Sequence, residues 1–318
     1  MSESLIQLGT VSPAPRDGAL PARRARRPEW LRIRLATPEQ YRKVKSLVER
    51  LDLHTVCQEA RCPNIYECWG QHGTATFMIL GDVCTRRCGF CAVTSGRPPK
   101  PPDPLEPEHV AEAVAVMGLR HAVITSVDRD DLPDGGARHF ADVIEAVHQR
   151  NPGAAVEVLT PDFRRVQGAL DVVLGAAPEV FSHNMETVPR LYRQARPGSS
   201  YQRSLDLLRE AARRRHAAEY GGRVKTGLMV GLGESPAELA QTIRDIRSAG
   251  VEILTVGQYL QPTREHLPVD RWVHPEEFDS IRALAIELGF SHCESGPLVR
   301  SSYHAHEHVG AAAAGPIS

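Results

Sequence analysis

The sequence lacks an apolar run near the roughly 20 residues that a membrane-spanning helix needs, so we expect no membrane insertion. The amino-terminal segment also lacks the continuous apolar core of a secretory signal. Residues 1–28 are rich in proline, alanine and arginine, so we expect a disordered basic tail. Because the start does not read as a secretory signal, we expect a cytoplasmic protein. Neither charge sign is in excess, because 38 Lys and Arg oppose 39 Asp and Glu. This balance gives no general reason to expect a nucleic acid partner.

Cysteine is scarce but concentrated. Six of the seven cysteines form two triplets, C-x4-C-x5-C and C-x3-C-x2-C, made of Cys57, Cys62 and Cys68, then Cys84, Cys88 and Cys91. In a reducing compartment such clusters indicate metal ligands or redox groups rather than disulfides. Three thiolates can hold three irons of a four-iron cube, so the pattern predicts two 4Fe-4S clusters. Zinc is the alternative, but a structural zinc site prefers a fourth protein ligand.

A dinucleotide-binding glycine fingerprint is missing after the first apolar run, although short apolar runs alternate with helical patterns along the chain. The predicted strands are Phe77–Leu80, Ala122–Ser126, Val156–Leu159, Val180–Asn184, Lys225–Val230 and Ile253–Tyr259. The predicted crossover helices cover 108–118, 136–150, 163–175, 199–217, 235–249 and 275–289. Six such units favour an α/β fold, a partial (β/α)6 TIM-type barrel open on one side.

The second triplet lies in CTRRCGFC, directly after the first predicted strand, at the barrel end where chemistry is expected. This motif resembles the radical S-adenosylmethionine superfamily. The resemblance implies that Cys84, Cys88 and Cys91 bind a 4Fe-4S cluster whose fourth iron is chelated by S-adenosylmethionine. The bound cofactors then generate a 5′-deoxyadenosyl radical, while the protein positions and shields them.

Other segments match the superfamily at later strand ends, notably GLMVGLGE and HNMET. The residues that the resemblance implies for S-adenosylmethionine binding are Phe90, Asn184, Glu186, Gly227 and Gly231. Phe90 could instead be an ordinary core aromatic, and HNMET could simply cap the next helix. Residues 128–130 are weaker candidates, because their segment departs from the usual Gly-Gly-Glu form.

The first triplet and the carboxyl-terminal run GPLVRSSYHAHEH together resemble the lipoyl synthase family. The resemblance implies that Cys57, Cys62, Cys68 and Ser301 ligate an auxiliary 4Fe-4S cluster that donates sulfur. Without the triplets, RSSY would indicate a polar turn or a helix cap. The expected division of the chain is a tail at 1–28, an extension carrying the first triplet at 29–75, the barrel at 76–290 and the RSSY tail at 291–318.

By this resemblance, two sulfurs are inserted at carbons 6 and 8 of an octanoyl group on a lysine. The expected protein partners are octanoylated lipoyl domains of 2-oxoacid dehydrogenases, the glycine-cleavage carrier protein, a ferredoxin or flavodoxin and a cluster-repair carrier. The alternatives are a biotin synthase-like sulfur-inserting enzyme, a two-cluster electron carrier and a zinc-stabilised binding module.

Overall fold

The computed structural model describes residues 27–31, 39–59, 62, 64–69, 74–303 and 305. The tail predicted at 1–28 therefore lies outside these residues, apart from its last two positions. In the part of the chain that is described, no helix is long and apolar enough to cross a membrane.

The fold is built on one eight-stranded sheet with the order β1-β2-β5-β6-β7-β8-β9-β10. Its strands are β1 His54–Thr55, β2 Thr74–Ile79, β5 His121–Ser126, β6 Ala155–Leu159, β7 Val180–Ser182, β8 Arg223–Val230, β9 Ile253–Gln258 and β10 His292–Gly296. Every pairing from β2 to β10 is parallel, while β1 pairs antiparallel with β2. A second, two-stranded sheet joins β3 Val83–Cys84 to β4 Thr94–Ser95.

Helices follow the parallel strands as crossovers. The α-helices are α1 Glu39–Arg50, α2 Val56–Glu59, α3 Ile65–Glu67, α4 Glu106–Met117, α5 Ala137–Arg150, α6 Ala169–Gly175, α7 Tyr192–Ala195, α8 Tyr201–His216, α9 Pro236–Ser248 and α10 Pro275–Glu287. Short 3-10 helices cover Glu29–Leu31, Phe163–Arg165 and Pro189–Leu191. Ser235 caps α9 through a capping box with Glu238, so local sequence fixes where that crossover begins.

Parallel register aligns apolar side chains in a row across the sheet. Phe77, Ile124, Val158, Phe181 and Val224 are successive partners from β2 to β8, and each is fully buried. Rows of this kind form the core of a barrel, because neighbouring strands direct paired residues to the same face.

A buried ionic group interrupts this apolar interior. Lys225 on β8 places Nζ 2.7 Å from Oε1 of Glu157 on β6, and His121 Nε2 lies 3.4 Å from Glu157 Oε2. All three side chains are almost completely buried.

The partial barrel predicted from the sequence is confirmed, with the six predicted strands within a few residues of their bounds. The unit count was incomplete, because β10 adds a seventh parallel strand and β1 an antiparallel edge. The sequence HCESG of β10 has no apolar alternation to mark it. The helix predicted at 163–175 was too long, because Arg164 and Gly168 have positive φ and break it before α6.

Candidate active site

The second cysteine triplet lies in the loop after β2, at the carboxyl end of the barrel strands. Cys84 belongs to β3, and the amide of Gly96 donates to its carbonyl at 2.9 Å. The Cys91 amide donates to the Cys88 carbonyl at 3.1 Å, which bends the loop so that these two cysteines are neighbours. All three side chains are half-buried and free of disulfides.

Burial makes these thiols poor acids. It raises the pKa of Cys84 and of Cys88 to about 12, and it also raises the pKa of Cys91. The thiols are therefore protonated at neutral pH. Metal ligation requires thiolates, so a metal that bound these three sulfurs would displace protons.

Arg86 anchors the loop between the first two cysteines of this triplet. Its guanidinium lies 2.8 Å from Asp130, 2.7 Å from Asp162 and 3.3 Å from Asp128, and its side chain is only 2% exposed. These carboxylates follow β5 and β6, so the ion pairs hold the cysteine loop against the neighbouring strand ends. Asp128 also lies beside the triplet, because its Oδ2 is 3.5 Å from the Cys84 sulfur.

Asn184 and Glu186 follow β7 and face the same rim. Glu186 has a positive φ of 66°, and its backbone pairs with Gly227 and Met229 of β8. Burial raises the pKa of Glu186, while the charge of Arg196 opposes that rise.

Arg196 is a buried cation in the same region. Its Nη1 donates to the Asn184 carbonyl at 2.7 Å and to the Tyr192 hydroxyl at 3.2 Å. The Gly89 amide donates to the Ala195 carbonyl at 2.8 Å, so the segment that carries Arg196 contacts the cysteine loop. The charge of Arg196 also lowers the pKa of the Cys88 thiol against the effect of burial.

The turn after β8 is ordered by Glu234. Its carboxylate accepts the amides of Gly231 at 2.6 Å and Leu232 at 2.9 Å. Gly231 needs its glycine, because it has a φ of 91° and a Cβ there would collide with Gln258. A Cβ at Gly227 would lie 2.7 Å from the Asn184 side chain, so this glycine makes room for Asn184.

The segment after β9 clamps the cysteine loop from the other side. The Leu267 amide donates to the Gly89 carbonyl at 2.9 Å, and His266 Nε2 donates to the Cys91 carbonyl at 2.8 Å. Phe90, between them, is half-buried and is not part of the buried apolar core. The cofactor contact predicted for Phe90 stays a prediction.

The first triplet lines a separate small cavity. It is bounded by all three cysteines together with β2 and tail residues, namely Cys57, Cys62, Asn64, Ile65, Cys68, Thr76, Arg300, Ser302 and Tyr303. Burial raises the pKa of Cys57 to about 12 and raises the pKa of Cys62, while the charge of Arg300 lowers the latter.

This cavity lies where the two edges of the open sheet meet. The first triplet follows β1 at one edge, and the RSSY tail follows β10 at the other. Asn64 Nδ2 donates to the Leu298 carbonyl at 2.8 Å, and Thr76 Oγ1 donates to Ser302 Oγ at 2.9 Å. The site therefore joins parts of the chain that are far apart in sequence.

Ser302 lines the cavity between the cysteines, and Ser301 is not among the lining residues. The role of Ser301 as a cluster ligand stays a prediction. Ser302 is a second candidate for that role, because it lines the cavity. Within the described residues, no three His, Cys, Asp or Glu side chains are arranged to hold a single metal ion.

Two family models match the chain. The radical SAM superfamily matches residues 78–246, and the N-terminal domain of lipoyl synthase of the radical SAM family matches residues 18–62. Lipoyl synthase of Methylococcus capsulatus is 58% identical over 281 residues, covering 88% of this chain and 85% of that protein. The chain belongs to the lipoyl synthase family. Lipoyl synthase of Rubrobacter xylanophilus is 56% identical and covers 93% of both chains.

Solved structures agree with this family at the level of the fold. Streptococcus suis SuiB bound to its precursor peptide has a TM-score of 0.54 at 11% identity, covering 80% of this chain and 52% of SuiB. Methylornithine synthase has a TM-score of 0.51 at 14% identity, covering 80% of this chain and 82% of its own. Membership of the radical SAM superfamily implies one 4Fe-4S cluster and S-adenosylmethionine.

The motifs did not reveal several residues that the fold adds to these sites. Arg86 and Arg196 bring buried cations to the second triplet, while Trp69 and Arg300 pack beside the first. Arg86 lies inside the cysteine motif itself. A charged residue within a loop expected to be buried could therefore have pointed to it. The segment around Arg196 carries no such signal. Arg129, one of the weaker candidates for cofactor binding, makes structural contacts. It donates to the Leu80 carbonyl and forms an ion pair with Asp131.

Proposed function

We propose that this chain is a lipoyl synthase that inserts two sulfur atoms at carbons 6 and 8 of an octanoyl group. The octanoyl group is carried on a lysine of a lipoyl domain. The observation that carries the proposal is the cavity that the first cysteine triplet shares with the RSSY tail. A radical enzyme needs only one cluster to make its radical. A second cysteine triplet that shares a cavity with the carboxyl-terminal tail therefore requires its own purpose.

Cys84, Cys88 and Cys91 hold the radical-generating cluster in this proposal. When bound, the cluster and S-adenosylmethionine supply a 5′-deoxyadenosyl radical that removes hydrogen from unactivated carbon. Arg86 and the His266 contact keep the three-cysteine loop in place on its two sides.

The protein groups around the second triplet suit the polar parts of S-adenosylmethionine. Arg196 is a buried cation near Cys88, and it offers a partner to the carboxylate of the methionyl group. Asn184 and Glu186 offer hydrogen bonds to the ribose hydroxyls, with Phe90 packing beside the cofactor. Gly227 and Gly231 keep the β8 end free of side chains.

Cys57, Cys62 and Cys68 hold the auxiliary cluster, with one serine of the tail as the oxygen ligand. Ser301 was the expectation from the sequence, but the cavity lining favours Ser302. A hard oxygen on thiolate-preferring iron makes a more labile corner than a fourth cysteine would. Such a corner suits a cluster that gives up sulfur and is consumed.

The substrates and partners follow from this activity. They are octanoylated lipoyl domains of 2-oxoacid dehydrogenases and the glycine-cleavage carrier protein. A ferredoxin or flavodoxin supplies electrons, and a cluster-repair carrier rebuilds the auxiliary cluster between turnovers. Free clustered thiols suit a reducing compartment, so the cytoplasm is part of the proposal.

The test is anaerobic incubation of the fully loaded protein with an octanoyl-lysine peptide, S-adenosylmethionine and a reductant. We expect a peptide whose mass has gained two sulfur atoms, and isotopically labelled cluster sulfide should appear in it. A Cys88→Ala variant should cleave no S-adenosylmethionine. A Cys62→Ala variant should retain some cleavage without thiolation, and lipoyl product from this variant would refute the sulfur-donor role.

Metal analysis separates the remaining alternatives. Two 4Fe-4S clusters predict iron and acid-labile sulfide in equal amounts, whereas a zinc-stabilised binding module predicts zinc alone. A two-cluster electron carrier would contain the iron but would not cleave S-adenosylmethionine. A biotin synthase-like enzyme would keep its auxiliary cluster when the RSSY tail is altered.

A further inference from the structure

A chain of buried hydrogen bonds leads from the end of β6 to Arg196. His183 follows β7; its Nδ1 lies 2.8 Å from the Thr160 carbonyl oxygen, and its Nε2 lies 2.8 Å from Ser204 Oγ on α8. The Tyr192 hydroxyl donates to Ser204 Oγ at 2.6 Å, and Arg196 Nη1 donates to the Tyr192 hydroxyl at 3.2 Å. All five residues are buried, so these bonds lie away from bulk water.

The partners of His183 fix its protonation state. A carbonyl oxygen only accepts, so Nδ1 carries the proton that it donates to Thr160. A guanidinium only donates, and Arg196 Nη1 lies 3.3 Å from Nε2, so Nε2 carries no proton. This neutral form agrees with the pKa of His183, which burial and the charge of Arg196 lower to about 3. Ser204 must therefore donate to Nε2 and accept from Tyr192, which gives every bond in the chain one direction.

This chain holds one end of the Arg196 guanidinium. Nη1 also donates to the Asn184 carbonyl at 2.7 Å, and every hydrogen bond that joins Arg196 to a described residue comes from Nη1. Nε and Nη2 therefore remain as donors for a ligand. The ligand would lie close to the cysteine loop, because the preceding residue, Ala195, accepts the Gly89 amide.

We propose that His183, Ser204 and Tyr192 are positioning residues that hold Arg196 in the orientation in which it binds the methionyl carboxylate of S-adenosylmethionine. The inference rests on the contact between Arg196 and this carboxylate in the proposed function. An arginine side chain has many rotamers, and a site loses affinity when it must order such a side chain on binding. A guanidinium already held at Nη1 avoids this cost and offers Nε and Nη2 to the two carboxylate oxygens.

The test measures the dissociation constant of S-adenosylmethionine by anaerobic equilibrium dialysis of the fully loaded protein without reductant. Tyr192→Phe removes the hydroxyl that joins Arg196 to Ser204 and keeps the ring. Tyr201→Phe is the matched control, because its ring packs edge-on against that of Tyr192 at 5.7 Å and its hydroxyl donates to Asp245 instead.

We expect Tyr192→Phe to raise the dissociation constant about tenfold, which corresponds to about 1.4 kcal/mol. The control, Tyr201→Phe, should change it by less than about twofold. Ser204→Ala breaks the same chain at its next bond and should weaken binding in the same direction. This second variant decides the question if Tyr192→Phe no longer holds iron at the second triplet.

A double variant shows whether Tyr192 acts through Arg196. In an Arg196→Gln protein, Tyr192→Phe should cause no further loss of affinity, because the cation that it positions is gone. A further loss of about tenfold there would overturn the inference, as would unchanged affinity in both Tyr192→Phe and Ser204→Ala. Unchanged affinity in Arg196→Gln would overturn the Arg196 contact as well. Unaltered protein that binds no S-adenosylmethionine would overturn the proposed function itself.

Discussion

The ion pairs of Arg86 allow a quantitative prediction for an Arg86→Gln variant. This change leaves the carboxylates of Asp128, Asp130 and Asp162 without their shared cation. Removing one partner of a buried ion pair costs about 3–5 kcal/mol, because an uncompensated charge stays buried.

The remaining contacts set where in that range the loss falls. Asp162 is fully buried but keeps Arg203 at 3.2 Å, and Asp130 keeps Arg164 at 3.0 Å. Asp128 keeps only the more distant charge of Arg196. Because two of the three carboxylates retain a partner, we expect a loss of about 3 kcal/mol.

The assay is unfolding of the metal-free, reduced protein followed by circular dichroism. A loss of about 3 kcal/mol should lower the Tm by roughly 4–5 °C in a chain of 318 residues. The matched control is Arg190→Gln, since Arg190 is 57% exposed and binds Glu238 at 2.7 and 3.0 Å. An exposed pair is worth less than about 1 kcal/mol, so this control should shift the Tm by less than about 2 °C.

Equal Tm shifts in the two variants would refute the reasoning, because the same substitution would then cost the same in a buried and an exposed ion pair. A second consequence concerns the site. Arg86 holds the loop between Cys84 and Cys88, so the Arg86→Gln variant should also incorporate less iron at the second triplet than the Arg190→Gln variant.

Three further predictions concern the RSSY tail and the barrel interior. Ser302→Ala should speed iron loss from the auxiliary cluster more than Ser301→Ala does. The rate of iron release to a chelator, measured on protein that holds both clusters, checks this. The reverse order of rates would identify Ser301 as the ligand. His183 is buried with its pKa lowered to about 3 by burial and by Arg196, so the unfolded chain takes up a proton between about pH 6.5 and 3 that the folded chain does not. This residue should therefore make the metal-free protein about 2 kcal/mol less stable at pH 5 than at pH 7, and urea unfolding of His183→Gln should show a correspondingly weaker pH dependence. Lys225→Met removes the ammonium partner of the buried Glu157 and should cost about 3–5 kcal/mol in urea unfolding at pH 7. A loss below about 1 kcal/mol would show that the remaining contacts of Glu157, among them His121, compensate its charge.

The partial barrel was predictable because local sequence carries its signal. Buried parallel strands such as Val156–Leu159 are short apolar runs, and helices such as α9 begin at recognisable caps. The strand β10 was not predicted, because its pairing with β9, rather than its own composition, makes it a strand. The break before α6 was not predicted, because Arg164 adopts a positive φ that arginine rarely has.

The sequence by itself predicted the two candidate donor sets, because it places six cysteines in two closely spaced triplets; their role as ligands stays a prediction. It also determined the family, since the two triplets and the RSSY run keep their order along the chain. Only the tertiary structure decided which distant groups join these sets. Thr76 and Ser302 are separated by 226 positions, and Asn64 and Leu298 by 234, yet each pair is hydrogen-bonded. Such contacts depend on how the two edges of the open sheet approach each other. The distance between these edges cannot be read from any local sequence pattern.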